Sequence, residues 1–201
     1  MRAFVLAMTL LPALGWAVPV QVPLRNAGFE TGALDGWDRA VPAELFSVSD
    51  AGAHSGGFCL RVSGDPEHEY TAFTHLAQAV DLTPIPGGSY EISAWVRSEI
   101  AMVEGRSARI AVRQVSADDT TLDYANAGVP SGTGEWRQIS HRFRASGGAV
   151  RFDVYVIASN LGPEDALFVD DIDLIALDGT GNPVTVQPPP FSGGGALAAQ
   201  T

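Results

Sequence analysis

Two aspartates, Asp170 and Asp171, stand side by side in the C-terminal segment ALFVDDIDLIAL, inside an otherwise apolar run. With a strand's side-chain period of two, Phe168, Asp170, Ile172 and Leu174 fall on one face and Val169, Asp171, Asp173 and Ile175 on the other. Asp170 is therefore predicted on the aliphatic face, where a lone carboxylate is strongly disfavoured or forced neutral. Its presence there calls for a cation or for several hydrogen-bond donors.

The remaining residues with catalytic potential do not assemble into a reaction centre. His54 sits in an HSG turn, His68 in the polar GDPEHEY loop, His75 and His141 in strand-like segments. No pair has an H-x-x-x-H spacing and no G-x-S-x-G elbow accompanies them. The carboxylate pairs Asp118/Asp119 and Glu67/Glu69 lie in loop-like stretches, whereas a glycosidase needs two carboxyls set across a cleft. The sequence holds neither a phosphate-cradling glycine loop nor a nucleophile beside a base. The expectation is a protein that binds without catalysing.

Binding potential lies in two alternating segments. In GSYEISAWVRSE, Tyr90, Ile92, Ala94 and Val96 share a core face, and Glu91, Ser93, Trp95 and Arg97 share the other. In VRFDVYVIAS, Phe152, Val154 and Val156 point inward and Asp153, Tyr155 and Ile157 outward. An aromatic plane beside polar groups suits a ligand that is apolar on its face and polar at its edge. Trp95 and Tyr155 are the candidate planes; Arg97, Arg113, Gln114 and Asp153 are the candidate polar contacts.

These residues need a scaffold, and the chain predicts an all-β one. Glycine and proline punctuate short segments rich in Val, Ile, Phe and Tyr, with no sustained helical period. Strands are expected near 21–30, 44–49, 57–63, 70–82, 88–98, 107–116, 121–127, 134–145, 149–158 and 166–177, enough for a two-sheet sandwich or a barrel. The 201 residues suit one domain, placed at 18–178. The first 17 residues, MRAFVLAMTLLPALGWA, have the basic start, short apolar run and small-residue end of a signal peptide, so secretion is expected and a membrane anchor is not. Residues 179–201, with PPP and GGG runs, are expected to be a flexible tail.

Without the first 17 residues the chain carries 11 basic and 23 acidic side chains, a net charge of −12. That balance speaks against nucleic acid and anionic membranes as partners. The single cysteine, Cys59, excludes an internal disulfide and reads as a small strand side chain.

Five segments, RNAGFETGALDGW, AGAHSGGFCLRVSG, GGSYEISAWVRSE, GEWRQISHRFRAS and ALFVDDIDLIAL, resemble in order and spacing a carbohydrate-binding module of the CenC type. The likeness spans roughly residues 24–177. It implies an antiparallel β-jelly roll of the galactose-binding-like class that binds a polysaccharide or glycan. It also implies a structural calcium held by Glu30, Asp170 and the backbone around Ser55, with Asp171 as the fallback ligand if the strand phase slips. Calcium takes 6 to 8 oxygens, carboxylate and carbonyl alike, and would neutralise Asp170. Turn-capping or pairing with an arginine such as Arg61 is the competing account of Glu30 and Asp170. The competing function is a structural or adhesive surface module that keeps the jelly roll without a sugar cleft.

Overall fold

The computed structural model describes residues 18–64 and 74–186. The signal-like segment, residues 65–73 with His68, and residues 187–201 lie outside them. The described strands are β1 (Val18–Pro19), β2 (Arg39–Val41), β3 (Phe46–Ser49), β4 (Cys59–Ser63), β5 (Thr74–Ala79), β6 (Ser89–Ser98), β7 (Ser107–Val115), β8 (Thr121–Val129), β9 (Arg137–Arg144), β10 (Arg151–Ser159), β11 (Ala166–Leu177) and β12 (Thr185–Val186), with one 3-10 turn at Ala43–Leu45. They form two five-stranded antiparallel sheets, β2-β5-β10-β7-β8 and β3-β4-β11-β6-β9, and a small β1-β12 ribbon. This is the expected two-sheet sandwich.

The alternation read in β6 and β10 holds: Tyr90, Ile92, Ala94 and Val96 from one sheet meet Phe152, Val154 and Val156 from the other in a single core. Tyr90 closes one end of it edge-on to Phe152, ring centroids 5.1 Å apart. Gln114 belongs to this interior as well. Its amide donates to the Arg144 carbonyl and accepts from the Ser146 N–H at 2.7 Å, so it is a buried structural amide and not a ligand contact. The reason is parity: in β7, Ala108, Ile110, Val112 and Gln114 point inward while Arg109, Ala111 and Arg113 alternate outward.

Two stretches depart from the sequence reading. Residues 21–30 make a turn in place of a strand, with one bridge from Gln21 to Ile175 and left-handed backbone at Asn26 (φ 48°) and Phe29 (φ 59°). That turn buries Phe29 against Trp37 at 5.5 Å and swings Glu30 outward. In β11 the register with β6 slips between Asp170, opposite Trp95, and Asp173, opposite Ser93, with Asp171 at φ 46°. The extra residue is a β-bulge, and it changes the phase within one strand. Leu167 and Val169 point inward before it, Ile172 and Leu174 after it, while Phe168 packs outside with Cys59 and Ala166. Phe168 and Asp170 therefore do not share the core face with Ile172 and Leu174.

The first part of the expected tail is tied down. Asp178 accepts the N–H groups of Thr180 and Asn182, and the chain then pairs Thr185–Val186 with Val18–Pro19.

Cys59 is fully buried, and burial together with the Asp170 charge pushes its thiol up to about 11. Native protein at pH 8 should resist alkylation by iodoacetamide and react once unfolded in guanidinium. Rapid labelling of the native fold would contradict the packing of β4 described here.

Candidate functional site

Asp170 has no exposed surface, yet the sandwich core does not enclose it. It faces outward on β11 and is covered by the loop between β3 and β4. One carboxylate oxygen accepts the backbone N–H groups of His54 (2.9 Å) and Ser55 (3.1 Å), and the other accepts the N–H of Asp171 (2.8 Å). Asp171 holds the same loop through its side chain, with His54 Nδ1 at 2.8 Å and the Ser55 hydroxyl donating at 2.8 Å. Glu30 reaches the loop from the first turn and accepts the N–H groups of Gly57 (2.9 Å) and Phe58 (3.3 Å). A Cβ at Gly56 would lie 2.3 Å from the Glu30 carboxylate, so this close approach requires a glycine. Burial pushes the Asp170 carboxyl above the usual range; the Ser55 N–H opposes that and the Asp171 charge adds to it.

Glu30, Asp170 and Asp171 surround Gly28, whose missing side chain leaves space. A Cβ there would lie 3.4 Å from Asp171 Oδ1, 3.5 Å from Asp170 Oδ1 and 3.8 Å from Glu30 Cγ. Among the described residues, no three acidic, histidine or cysteine side chains converge closely enough to hold a metal alone. A hard cation would fit this acidic pocket only with main-chain oxygens completing its shell. Ser55 donates its N–H to Asp170 and its hydroxyl to Asp171, and these contacts do not involve its carbonyl, the atom expected to bind the ion.

The same loop takes up the outer face that carries Trp95. The His54 ring stacks on Trp95 with centroids 3.8 Å apart and planes at 13°. Trp136 Nε1 donates to the Gly52 carbonyl at 3.0 Å. Arg97 lies 4.0 Å over the Phe168 ring, 5.5 Å from Trp136, and donates to the carbonyls of Ala51 and Gly52. Arg97 thus clamps the loop and is not free to orient a sugar. Tyr155 stands on β10, in the other sheet, with its side chain on the opposite outer surface. Trp95 and Tyr155 therefore cannot line one cleft.

The Tyr155 surface has a different character. Ala77 and Ala111 flank Tyr155 on the neighbouring strands, and these small side chains leave its ring lying low, 8% exposed. His75 lies 5.5 Å from it, and Tyr124 meets it edge-on at 6.4 Å, 41% exposed. Next to this aromatic strip is a polar network. Arg113 bonds Thr121 at 2.7 Å and the Asp119 carbonyl at 3.1 Å and pairs with buried Asp153 at 3.5 Å. Arg151 bridges Asp153 at 2.9 Å and Asp119 at 2.6 Å. Of the expected sugar contacts, the fold thus brings Tyr155, Arg113 and Asp153 together, and separates Trp95, Arg97 and Gln114 from them. Tyr124 was missed by the sequence reading. Its signal was the alternation in TLDYANAGV, with Ala125 and Ala127 turned inward and Tyr124 between outward positions.

A family model described as a carbohydrate binding domain matches residues 23–165, well over half of the chain. The chain belongs to that family. No curated protein matches this carbohydrate-binding domain. Among solved structures it is similar to TmCBM61 in complex with beta-1,4-galactotriose (TM-score 0.53, 23% identity, 76% of this chain and 97% of that one). It is also similar to a cyclase from Fischerella sp. TAU (TM-score 0.61, 16% identity, 79% and 98%). A third likeness is to the enzymatically active domain of Bacteriophage CBA120 tailspike protein 4 (TM-score 0.60, 10% identity, 79% of this chain), of which the domain spans only 22%. At these identities the likeness shows a shared fold.

Replacing Asp170 with Ala would leave the His54 and Ser55 N–H groups without their acceptor. The expected cost is on the order of 3 kcal/mol in chemical denaturation. A change below about 1 kcal/mol would show that the loop does not depend on this carboxylate.

Proposed function

We propose that this domain is a secreted, non-catalytic glycan-binding module whose ligand lies across the Tyr124–Tyr155 surface. The observation that carries the reading is the juxtaposition there of an aromatic strip, with Tyr124 projecting and Tyr155 set low, and the Arg113–Asp153–Arg151 network. A sugar ring stacks its C–H face on the tyrosines while the guanidinium groups meet its hydroxyls, and the ion pairs hold those polar groups in place before the ligand arrives. Family membership and the galactotriose-bound relative support the ligand class. The acids of this surface, Asp119 and Asp153, are engaged by arginines and do not face one another across a cleft, which supports binding without hydrolysis. The signal-like first 17 residues support export.

Calcium belongs to this proposal as a structural ion. Glu30 and Asp170 would hold it beside Gly28, and it would offset the charge that Asp170 and Asp171 concentrate there. A structural or adhesive module is the second reading, favoured by the low exposure of Tyr155 and by the loop over Trp95.

Two experiments test these statements. In a glycan array followed by calorimetry, Tyr124→Ala should weaken binding about tenfold or more, the loss expected for one stacking contact, while Arg97→Ala leaves the affinity unchanged. An array on which the folded wild type binds no glycan would favour the second reading. For the ion, a chelator should lower the melting temperature of the wild type, added calcium should restore it, and Glu30→Gln should remove the chelator's effect. A melting temperature indifferent to chelator and calcium would dismiss the metal.

A further inference from the structure

On the face opposite the tyrosines, a groove of about 430 Å³ runs beside Trp95. Its floor is β6, where Ser93 and Trp95 stand two residues apart. On one side Gln138 of β9 pairs directly with Trp95; on the other Asp173 of β11 pairs with Ser93. The wall is the N-terminal segment, with Gln21, Val22, Pro23 and Leu24, and Asp171 closes the end next to Trp95. The bulge makes this arrangement possible: by slipping the register it puts Asp171 and Asp173 on the same groove, where a regular strand would leave a different set.

We propose that this groove is a second ligand site, separate from the tyrosine surface, which takes one uncharged sugar unit and refuses anionic ones. Three features carry this. The volume lies within the range of roughly 300–1,000 Å³ typical of small-molecule sites. The lining combines an indole and aliphatic wall with two carboxylates, two carboxamides and a hydroxyl, which is a set suited to a ring that is apolar on its face and hydroxylated at its edge. Among the described residues no lysine or arginine lines it, and Asp173, which is not one of the acids proposed to hold calcium, accepts hydrogen bonds from hydroxyls but meets a uronate, sulfate or phosphate with like charge. Trp95 is also fixed in advance: His54 stacks on one side of its ring and is held in turn by Asp171, so little side-chain freedom is lost on binding.

The test follows the Trp95 indole N–H signal by two-dimensional NMR, identified by its disappearance in Trp95→Phe. The probes are galactotriose, xylotriose and cellotriose, with trigalacturonate as the anionic counterpart. At millimolar concentration at least one neutral trisaccharide should shift the Trp95 signal, and trigalacturonate should not. Gln138→Ala, at an exposed position that does not threaten folding, and the isosteric Asp173→Asn should each weaken that response at least fivefold. Tyr124→Ala should leave it intact, although it weakens binding on the other face. A Trp95 signal unmoved by all three neutral probes overturns the second site, whether or not the tyrosine surface binds. A response that vanishes with Tyr124→Ala, or that trigalacturonate reproduces, overturns its independence or its charge selection respectively.

Discussion

The buried carboxylate of Asp170 is the interaction on which the rest of the architecture turns. It lies outside the hydrophobic core and under a loop, and three backbone N–H groups donate to it. An anion in such a place polarises every donor aimed at it, so the bonds are stronger than neutral ones and their loss leaves both partners stranded. Glu30 does the same one turn further along the loop. Two acids from opposite ends of the domain thus determine the path of residues 53–58, and through them the approach of the first turn to the last strand.

That loop makes the two outer surfaces of the sandwich unequal. On the β3-β4-β11-β6-β9 sheet it consumes the aromatic and cationic side chains that would otherwise be displayed: His54 stacks on Trp95, and Arg97 is held between two aromatic rings and two carbonyls. The lane beside Trp95, left between β9, the bulge and the N-terminal segment, remains open as a groove. The other sheet has no such cover in its described part over Tyr124, and its alanines at 77 and 111 make a shallow bed for an aromatic strip. Small residues beside large ones give a sheet surface its relief; in this chain they decide where a flat ligand could rest.

The bulge at Asp170/Asp171 links these consequences. Its left-handed residue allows adjacent carboxylates to serve different partners, Asp170 the loop backbone and Asp171 the loop side chains, while Asp173 is returned to the outer face beside Ser93. Burial raises the Asp173 carboxyl as well, against a hydrogen bond from Gln21. Three acids within four residues are tolerated because the irregular backbone spreads them over distinct surroundings.

The sequence by itself determined the layered all-β architecture, because alternation in β6 and β10 is a local property: a residue's face follows from its neighbours one and two positions away. It also determined the family, through the joint order of several segments, and the family model matches residues 23–165, which hold all of them but the last. The unusual demand of Asp170 was legible too, as a carboxylate in an apolar run needing donors or a cation. Only the tertiary structure decided which donors reach it, that Gln114 points inward, that Trp95 and Tyr155 lie on opposite surfaces, and that Arg97 clamps a loop. A period of two assigns faces only while the register is unbroken, and one residue inserted at Asp171 reverses the count. Nor does it say which sheet a strand joins, so residues that look alike along the chain ended on surfaces separated by the whole thickness of the core.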